Sequence, residues 1–240
     1  MVKKNMLDAI AGNGPLTQVF RLDPIEQVNF SHDVIYDLTE EKKVLHVFSI
    51  DNPDKLDELI ENGQYFHKQL SHVTSKCLGL HPDPSVVLYL LQKHAIFNIT
   101  VANVVTPGNA EILADQWDYI VLSDILELVE SPVKFLQDIA ENYKDKINKV
   151  IIRVSNALSM ASAQTANNLG AETVNIEQKY LFTPYTLCKA AHEGGLQPEN
   201  IYMALEPDAN IKAVRKNHDR LQKTPILCDS IILEASWRTT

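Results

Sequence analysis

The chain has 240 residues, of which 45% are hydrophobic and 22% charged, a composition that supports a sizeable core and excludes global disorder. Its formal net charge is −9, so a nucleic-acid backbone is not expected as its main partner. No apolar run reaches membrane-spanning length and no apolar signal core stands at the N-terminus, which predicts a soluble, cytoplasmic protein without a membrane partner.

Cysteine and histidine spacing gives no sign of a metal centre. The three cysteines, Cys77, Cys188 and Cys228, are far apart and odd in number, and no CxxC pair occurs, so neither a zinc site nor a disulfide framework is expected. His67 and His72 stand five residues apart, outside the spacing that places two ligands together on a helix. The sequence therefore predicts no metal site.

Residues 1–42 show no clear hydrophobic period and include the turn-rich stretches GNGPL and RLDPIEQ. We expect an N-terminal extension that caps the fold with short helical pieces. A regular alternation of elements begins at Lys43, so residues 43–240 are predicted to form the main domain.

Short apolar runs rich in β-branched residues follow, and they predict strands buried on both faces at 44–49, 76–80, 98–103, 119–123 and 149–154. The intervening segments 54–70, Pro84–His94 and 131–143 have helical spacing. Ser131 and Pro132 form a suitable N-cap and first-turn pair for the last of them. This alternation predicts right-handed parallel crossovers in a doubly wound α/β sheet.

The C-terminal part has a different pattern. Segment 183–192 predicts a helix with Thr183 as N-cap and Pro184 at the first position, ended by Gly194 and Gly195. Two strand-like runs, 200–205 and 226–235, flank a polar stretch at 206–224, which we interpret as a non-helical link. The pair predicts an antiparallel hairpin at one edge of a mostly parallel, Rossmann-like sheet.

Four quoted stretches carry a family resemblance: VLHVFSID at the first strand, KCLGLHPDPS at the second, DYIVLSDILELVESPVKFLQDIA at 118–140 and FTPYTLCKAAHEGGL at 182–196. With the element order, they resemble class I S-adenosylmethionine-dependent methyltransferases over about residues 43–236. The last stretch is similar to members that act on sugars of surface polysaccharides or related small molecules. The resemblance implies S-adenosylmethionine as cofactor and a sugar or other small-molecule hydroxyl as acceptor.

The family places glycine after the first strand, where the methionine part of the cofactor approaches the backbone. Here this junction contains Phe48, Ser49 and Asp51, with no glycine. We expect the Phe48 ring to fill or narrow the space that a methionine moiety would occupy.

The next two cofactor positions also depart from the pattern. The acidic residue that grips the ribose hydroxyls is replaced by His81, whose neutral ring offers one donor and one acceptor and cannot chelate two hydroxyls. Asp83 could substitute for it if the loop shifted. The aspartate that binds the adenine amino group is replaced by Asn103, whose side-chain oxygen can still accept a hydrogen bond.

After the fourth strand, Asp124 stands where ligands of open α/β sheets bind, although it could equally cap the following helix. The family's acidic-histidine pair is Glu127 and Leu128 here, so the histidine that could move a proton is missing. Of the family's asparagine, serine, aspartate and histidine before FTPYTL, only Asn175 is retained. No catalytic residue is assigned from the sequence.

Three functions follow from this comparison. The first is a methyltransferase-like protein with a degenerate cofactor cleft, no cofactor, and a binding or assembly role with a protein partner or a second copy, for example in polysaccharide biosynthesis. The second is an active methyltransferase with divergent contacts. The third is a module that uses the same cleft for another ligand. No G-x-S-x-G, Walker or G-x-G-x-x-G motif supports a hydrolase or nucleotide-binding alternative.

Overall fold

The computed structural model describes residues 1–49, 53–206 and 211–238. Within these ranges the chain forms one seven-stranded sheet in the order β3-β2-β1-β4-β5-β7-β6. Its strands are β1 Lys43–Phe48, β2 Lys76–His81, β3 Ile99–Val101, β4 Trp117–Ser123, β5 Ile147–Ser155, β6 Leu196–Ala204 and β7 Ser230–Trp237.

The described helices are α1 Lys4–Ile10, α2 Ser31–Thr39, α3 Pro53–Glu61, α4 Phe66–Val73, α5 Pro84–His94, α6 Ala110–Leu113, α7 Pro132–Tyr143, α8 Met160–Leu169, α9 Pro184–Glu193 and α10 Ile211–Lys223. A 3-10 turn at Pro225–Leu227 joins α10 to β7. The predicted caps are present: the Ser131 hydroxyl accepts from the Lys134 N–H, and Thr183 and Thr186 form a capping box.

The sheet confirms the predicted fold class. Neighbouring strands from β3 to β5 pair in parallel, and β7 pairs antiparallel with both β5 and β6. Each predicted strand is present, with first residues displaced by four positions or fewer from the sequence prediction. The antiparallel pair closes one edge, as the two C-terminal apolar runs predicted.

Apolar layers cover both faces of the sheet. On one face, the largest cluster packs Leu45, Ile120 and Ile152 of the strands against Leu136 of α7 and Leu187 of α9. On the other, α2 and α4 bury a second cluster that includes Ile35, Leu70 and Val121. A third cluster joins Phe48 at the end of β1 and Ile99 of β3 to helices α3 and α5, which contribute Leu56 and Leu90.

Residues 1–42 contribute α1 and α2, the short helical pieces that the sequence predicts. Met6 and Ile10 of α1 belong to the largest core cluster, and Ile35 of α2 belongs to the second. The extension therefore packs on both faces of the sheet. The division of the chain at residue 42 stays a prediction.

Two helix predictions are wrong. The link 206–224 is not non-helical, because α10 occupies Ile211–Lys223. Its few apolar residues, Ile211, Val214 and Leu221, recur at helical spacing, a weak pattern within a polar stretch. Segment 54–70 is two helices, since Gly63 has a φ of 69° and ends the first of them.

None of the helices described is both long and apolar enough to cross a bilayer.

Candidate functional site

The sheet reverses its strand order between β1 and β4, and the carboxyl ends of these strands form the crevice where open α/β sheets bind ligands. We call this crevice, with the residues that follow β1 to β4, the carboxyl edge. Phe48 and Ser123 are paired neighbours across it. His81 ends β2 beside them, and Asn103 follows β3 farther out. Asp51 lies outside the described residues.

Phe48 is buried in a cluster of rings beneath the carboxyl edge. Its ring centroid lies 5.1 Å from that of His46, 5.6 Å from His67 and 5.5 Å from His81. Tyr65 closes the cluster, 6.4 Å from Phe48 in an edge-on arrangement. Phe48 follows the alternation of a strand, so its ring lies on the same face of β1 as His46. Its predicted overlap with a bound methionine moiety stays a prediction.

A polar network lies within the same cluster. His46 Nδ1 is 3.1 Å from His67 Nδ1, and His46 Nε2 is 3.1 Å from Ser123 Oγ. Cys77 Sγ lies 3.8 Å from His67 Nδ1. Burial lowers the pKa of His46 well below its ordinary value and that of His67 to about 4, so both rings are neutral. His46 is therefore a hydrogen-bonded histidine of the core.

The residues after β2 are bonded to one another. His81 Nδ1 accepts from the Asp83 N–H at 3.1 Å. Asp83 caps α5: its Oδ1 accepts from the Ser85 N–H at 2.8 Å and from the Ser85 hydroxyl at 2.7 Å. These bonds lower the pKa of the Asp83 carboxyl. The carboxylate that could have replaced the family's ribose ligand thus serves as a helix cap.

Asn103 makes a local turn after β3. Its side-chain oxygen accepts from the Val105 N–H at 3.2 Å, an arrangement typical of asparagine in turns. The oxygen that could accept from an adenine amino group therefore already has a backbone partner.

Asp124 has a backbone φ of 55°, in the left-handed region that few residues adopt. Its carboxylate lies 3.1 Å from Arg153 Nη2, which also contacts Glu206 Oε2 at 2.8 Å. Arg153 Nη1 lies 3.2 Å from His32 Nε2, and burial together with Arg153 lowers the pKa of His32 to about 3. Asp124 is thus the half-exposed partner of the buried Arg153, and the following helix α7 is capped by Ser131.

Glu127 lies beneath the loop that follows β4. Its Oε1 accepts from the Ser155 N–H at 2.9 Å, and its carbonyl accepts from the N–H groups of Lys179 and Tyr180. Its Oε2 is buried and has no hydrogen-bond donor among the described residues. Burial is the main cause that raises the pKa of Glu127 to about 7, and the nearby negative charge of Asp124 is the second.

The sequence reasoning missed Arg153 and the His46–His67 contact. A signal for Arg153 existed, because it is the lone charge in the apolar run VIIRVS of a strand buried on both faces. No sequence signal could have paired His46 with His67, which are 21 residues apart on different elements. Within the described ranges, no group of three or more histidine, cysteine, aspartate or glutamate side chains is arranged to hold a metal.

No protein-family model and no curated protein sequence matches this chain. Solved structures match its fold. An S-adenosylmethionine-dependent methyltransferase from Mesorhizobium loti is 14% identical, with a TM-score of 0.51 over 82% of this chain and 92% of its own. The pyocyanin biosynthetic protein PhzM is 11% identical, with a TM-score of 0.52 over 87% of this chain; this chain spans only 55% of PhzM's length.

The chain has a methyltransferase fold. A third match is a chain of the complex formed by the Haloferax volcanii Trm112 methyltransferase activator, 12% identical, with a TM-score of 0.52 over 87% of this chain and 90% of the matched one. At such low identities, the matches show a likeness of fold alone. The function must be argued from the residues at the carboxyl edge of this methyltransferase fold.

Proposed function

We propose that this protein is a methyltransferase-like subunit with a degenerate cofactor cleft and a non-catalytic binding or assembly role, which requires no S-adenosylmethionine. The proposal places it in the cytoplasm, as the sequence predicts. One observation carries the argument: polar side chains at the carboxyl edge are bonded within the chain.

Five polar groups at the described part of the carboxyl edge already have a partner within the chain, with which a ligand would have to compete. The atoms concerned are His81 Nδ1, Asp83 Oδ1, Asn103 Oδ1, Ser123 Oγ and the Asp124 carboxylate. In a competent site, buried polar groups are oriented toward the ligand and gain their partners on binding. Here binding would exchange existing hydrogen bonds for new ones, so the net gain per contact would be small.

Surface features support a role in binding other molecules. The short strand β3 forms one edge of the sheet. Val101 in this strand is exposed, and Phe97, just before it, is 72% exposed. Leu88 and Leu91 on α5 are also exposed. An apolar edge strand favours association with another chain. One fold neighbour comes from a complex with a methyltransferase activator, which is consistent with a protein partner.

A second candidate function rests on Glu127. A buried carboxyl with a raised pKa and an unpartnered oxygen, near Asp124, is the kind of group that serves as a general base. This favours an active methyltransferase whose acceptor is a sugar or other small-molecule hydroxyl, in line with the resemblance of segment 182–196. Methyl transfer depends largely on positioning, so the missing histidine does not exclude it.

Calorimetric titration with S-adenosylmethionine and S-adenosylhomocysteine separates the two. If the cleft is degenerate, we expect no measurable binding at a ligand concentration of about 1 mM. This result would correspond to a binding free energy weaker than about 4 kcal/mol. Binding in the micromolar range would favour the enzyme. A matched control is Glu127→Gln, which should leave cofactor affinity unchanged and abolish any methyl transfer if Glu127 is the base.

A further inference from the structure

Helix α8 follows β5 after four residues, and its first residue, Met160, packs partly buried against the largest core cluster. All of it lies within the described ranges, and none of its side chains is buried. Its ends are nevertheless well defined, because the Ser159 hydroxyl accepts from the Ser162 N–H and Gly170 ends the helix with a φ of 59°. A capped helix without a buried face leaves its side chains available to other molecules.

A groove with a volume of about 270 Å³ runs between α8 and the corner where α10 meets the 3-10 turn. It combines apolar and hydrogen-bonding side chains, namely Met160, Ala163, Gln164, Asn167, Arg220 and Leu227. The volume lies just below the range of about 300–1,000 Å³ for small-molecule sites, so the groove suits one compact group.

The polar side chains of the groove can still form hydrogen bonds with a ligand. Arg220 is exposed, and no carboxylate among the described residues pairs with it. Gln164 makes no side-chain hydrogen bond in the described part of the chain, and Asn167 uses only its Nδ2, which donates to Asn168 Oδ1 at 3.0 Å. The groove therefore offers a guanidinium and two amide side chains to one ligand, beside the apolar surface of Met160 and Leu227.

Asn156 fixes the two walls relative to each other. Its Nδ2 donates to the carbonyl of Ile226 at 2.8 Å and to that of Cys228 at 2.7 Å, and its Oδ1 accepts from the Leu158 N–H at 3.0 Å. The buried amide thus joins the start of the α8 wall to the 3-10 turn that contributes Leu227. A groove with fixed walls loses little conformational entropy when a ligand binds.

We infer that this groove binds a small molecule with a carboxylate or phosphate on a compact apolar body. The planar guanidinium of Arg220 matches either anion through paired hydrogen bonds, and Met160 with Leu227 would cover the apolar part. Because the residues involved are outside the carboxyl edge, the inference goes beyond the proposed function and holds whether or not a cofactor binds.

The test is an NMR titration of the full chain with phenyl phosphate, benzoate and, as a neutral probe, phenol. We expect saturable shifts of the Gln164 and Asn167 side-chain amide signals with one or both anions and none with phenol. The anion that saturates the shifts at the lower concentration, phenyl phosphate or benzoate, identifies which of the two groups the groove prefers. Wild-type protein without saturable shifts for either anion would overturn the inference.

Arg220→Gln should weaken anion binding by at least about tenfold, since a charge-assisted pair of hydrogen bonds is lost. Lys223→Gln removes the same charge from the same helix outside the groove and should change affinity by less than about twofold. Equal weakening by the two substitutions would show general electrostatic attraction and contradict the site. Unchanged thermal melting of both variants confirms that folding is not the cause.

Discussion

His46 Nδ1 and His67 Nδ1 face each other at 3.1 Å in the buried layer between β1 and α4. At that distance one ring nitrogen donates a proton and the other accepts it, so the pair holds a single shared proton. Protonating the accepting ring would bury a charge and leave two donors facing each other. Burial lowers the pKa of both imidazoles and keeps them neutral, which ties the stability of the fold to pH.

We expect stability to fall as the pH drops below about 6.5, the ordinary pKa of histidine in an unfolded chain. The native pKa of His67 is lowered to about 4 and that of His46 lies well below its ordinary value. Between pH 6.5 and 4 the unfolded chain binds more protons, so the contribution is full above this window and is lost within it.

For His67 alone the loss amounts to about 3 kcal/mol. Urea denaturation across this pH range measures it, and ring-proton NMR assigns it to the residue. A His67 ring that titrates near pH 6.5 in the native protein would contradict the neutral pair.

Glu127→Gln should stabilise the protein at pH 8 and have little effect at pH 5. The native pKa of Glu127 is raised to about 7, so the folded state favours the neutral carboxyl, and stability falls as the pH rises from the ordinary value toward 7. An amide keeps the acceptor for the Ser155 N–H without the charge. The expected gain at pH 8 is about 3 kcal/mol. Denaturation at both pH values measures it; an equal effect at both would show that the carboxyl carries no raised pKa.

Phe48→Gly should lower the free energy of unfolding by about 3–5 kcal/mol, because the ring is buried in an aromatic cluster with His46, Tyr65, His67 and His81. Phe48→Leu is the matched control and should cost about 1 kcal/mol, since most of the buried volume is retained. Chemical denaturation compares them. If the free energy of unfolding of the glycine variant is within about 1 kcal/mol of the parent's, the ring does not stabilise this cluster.

Apolar periodicity was sufficient to predict the sheet, because strands such as β1 and β4 are buried on both faces and are continuous in sequence. The caps at Ser131 and Thr183 were also predictable from local sequence, because each cap joins residues only three positions apart. Helix α10 was not, because its polar composition outweighs a thin apolar stripe. The ion pair of Asp124 and Arg153 could not be predicted either, because the two residues meet only after two strands pair and local sequence does not encode that contact.

The proposed function depends most on the internal bonds of His81, Asp83, Asn103, Ser123 and Asp124 at the carboxyl edge, which compete with S-adenosylmethionine. Calorimetric titration of the parent and of His81→Asp with S-adenosylhomocysteine tests it most directly. We expect no measurable heat of binding for the parent at about 1 mM ligand and weak binding by the variant, since a restored carboxylate acceptor contributes about 1.5–3 kcal/mol. Micromolar binding by the parent would contradict it.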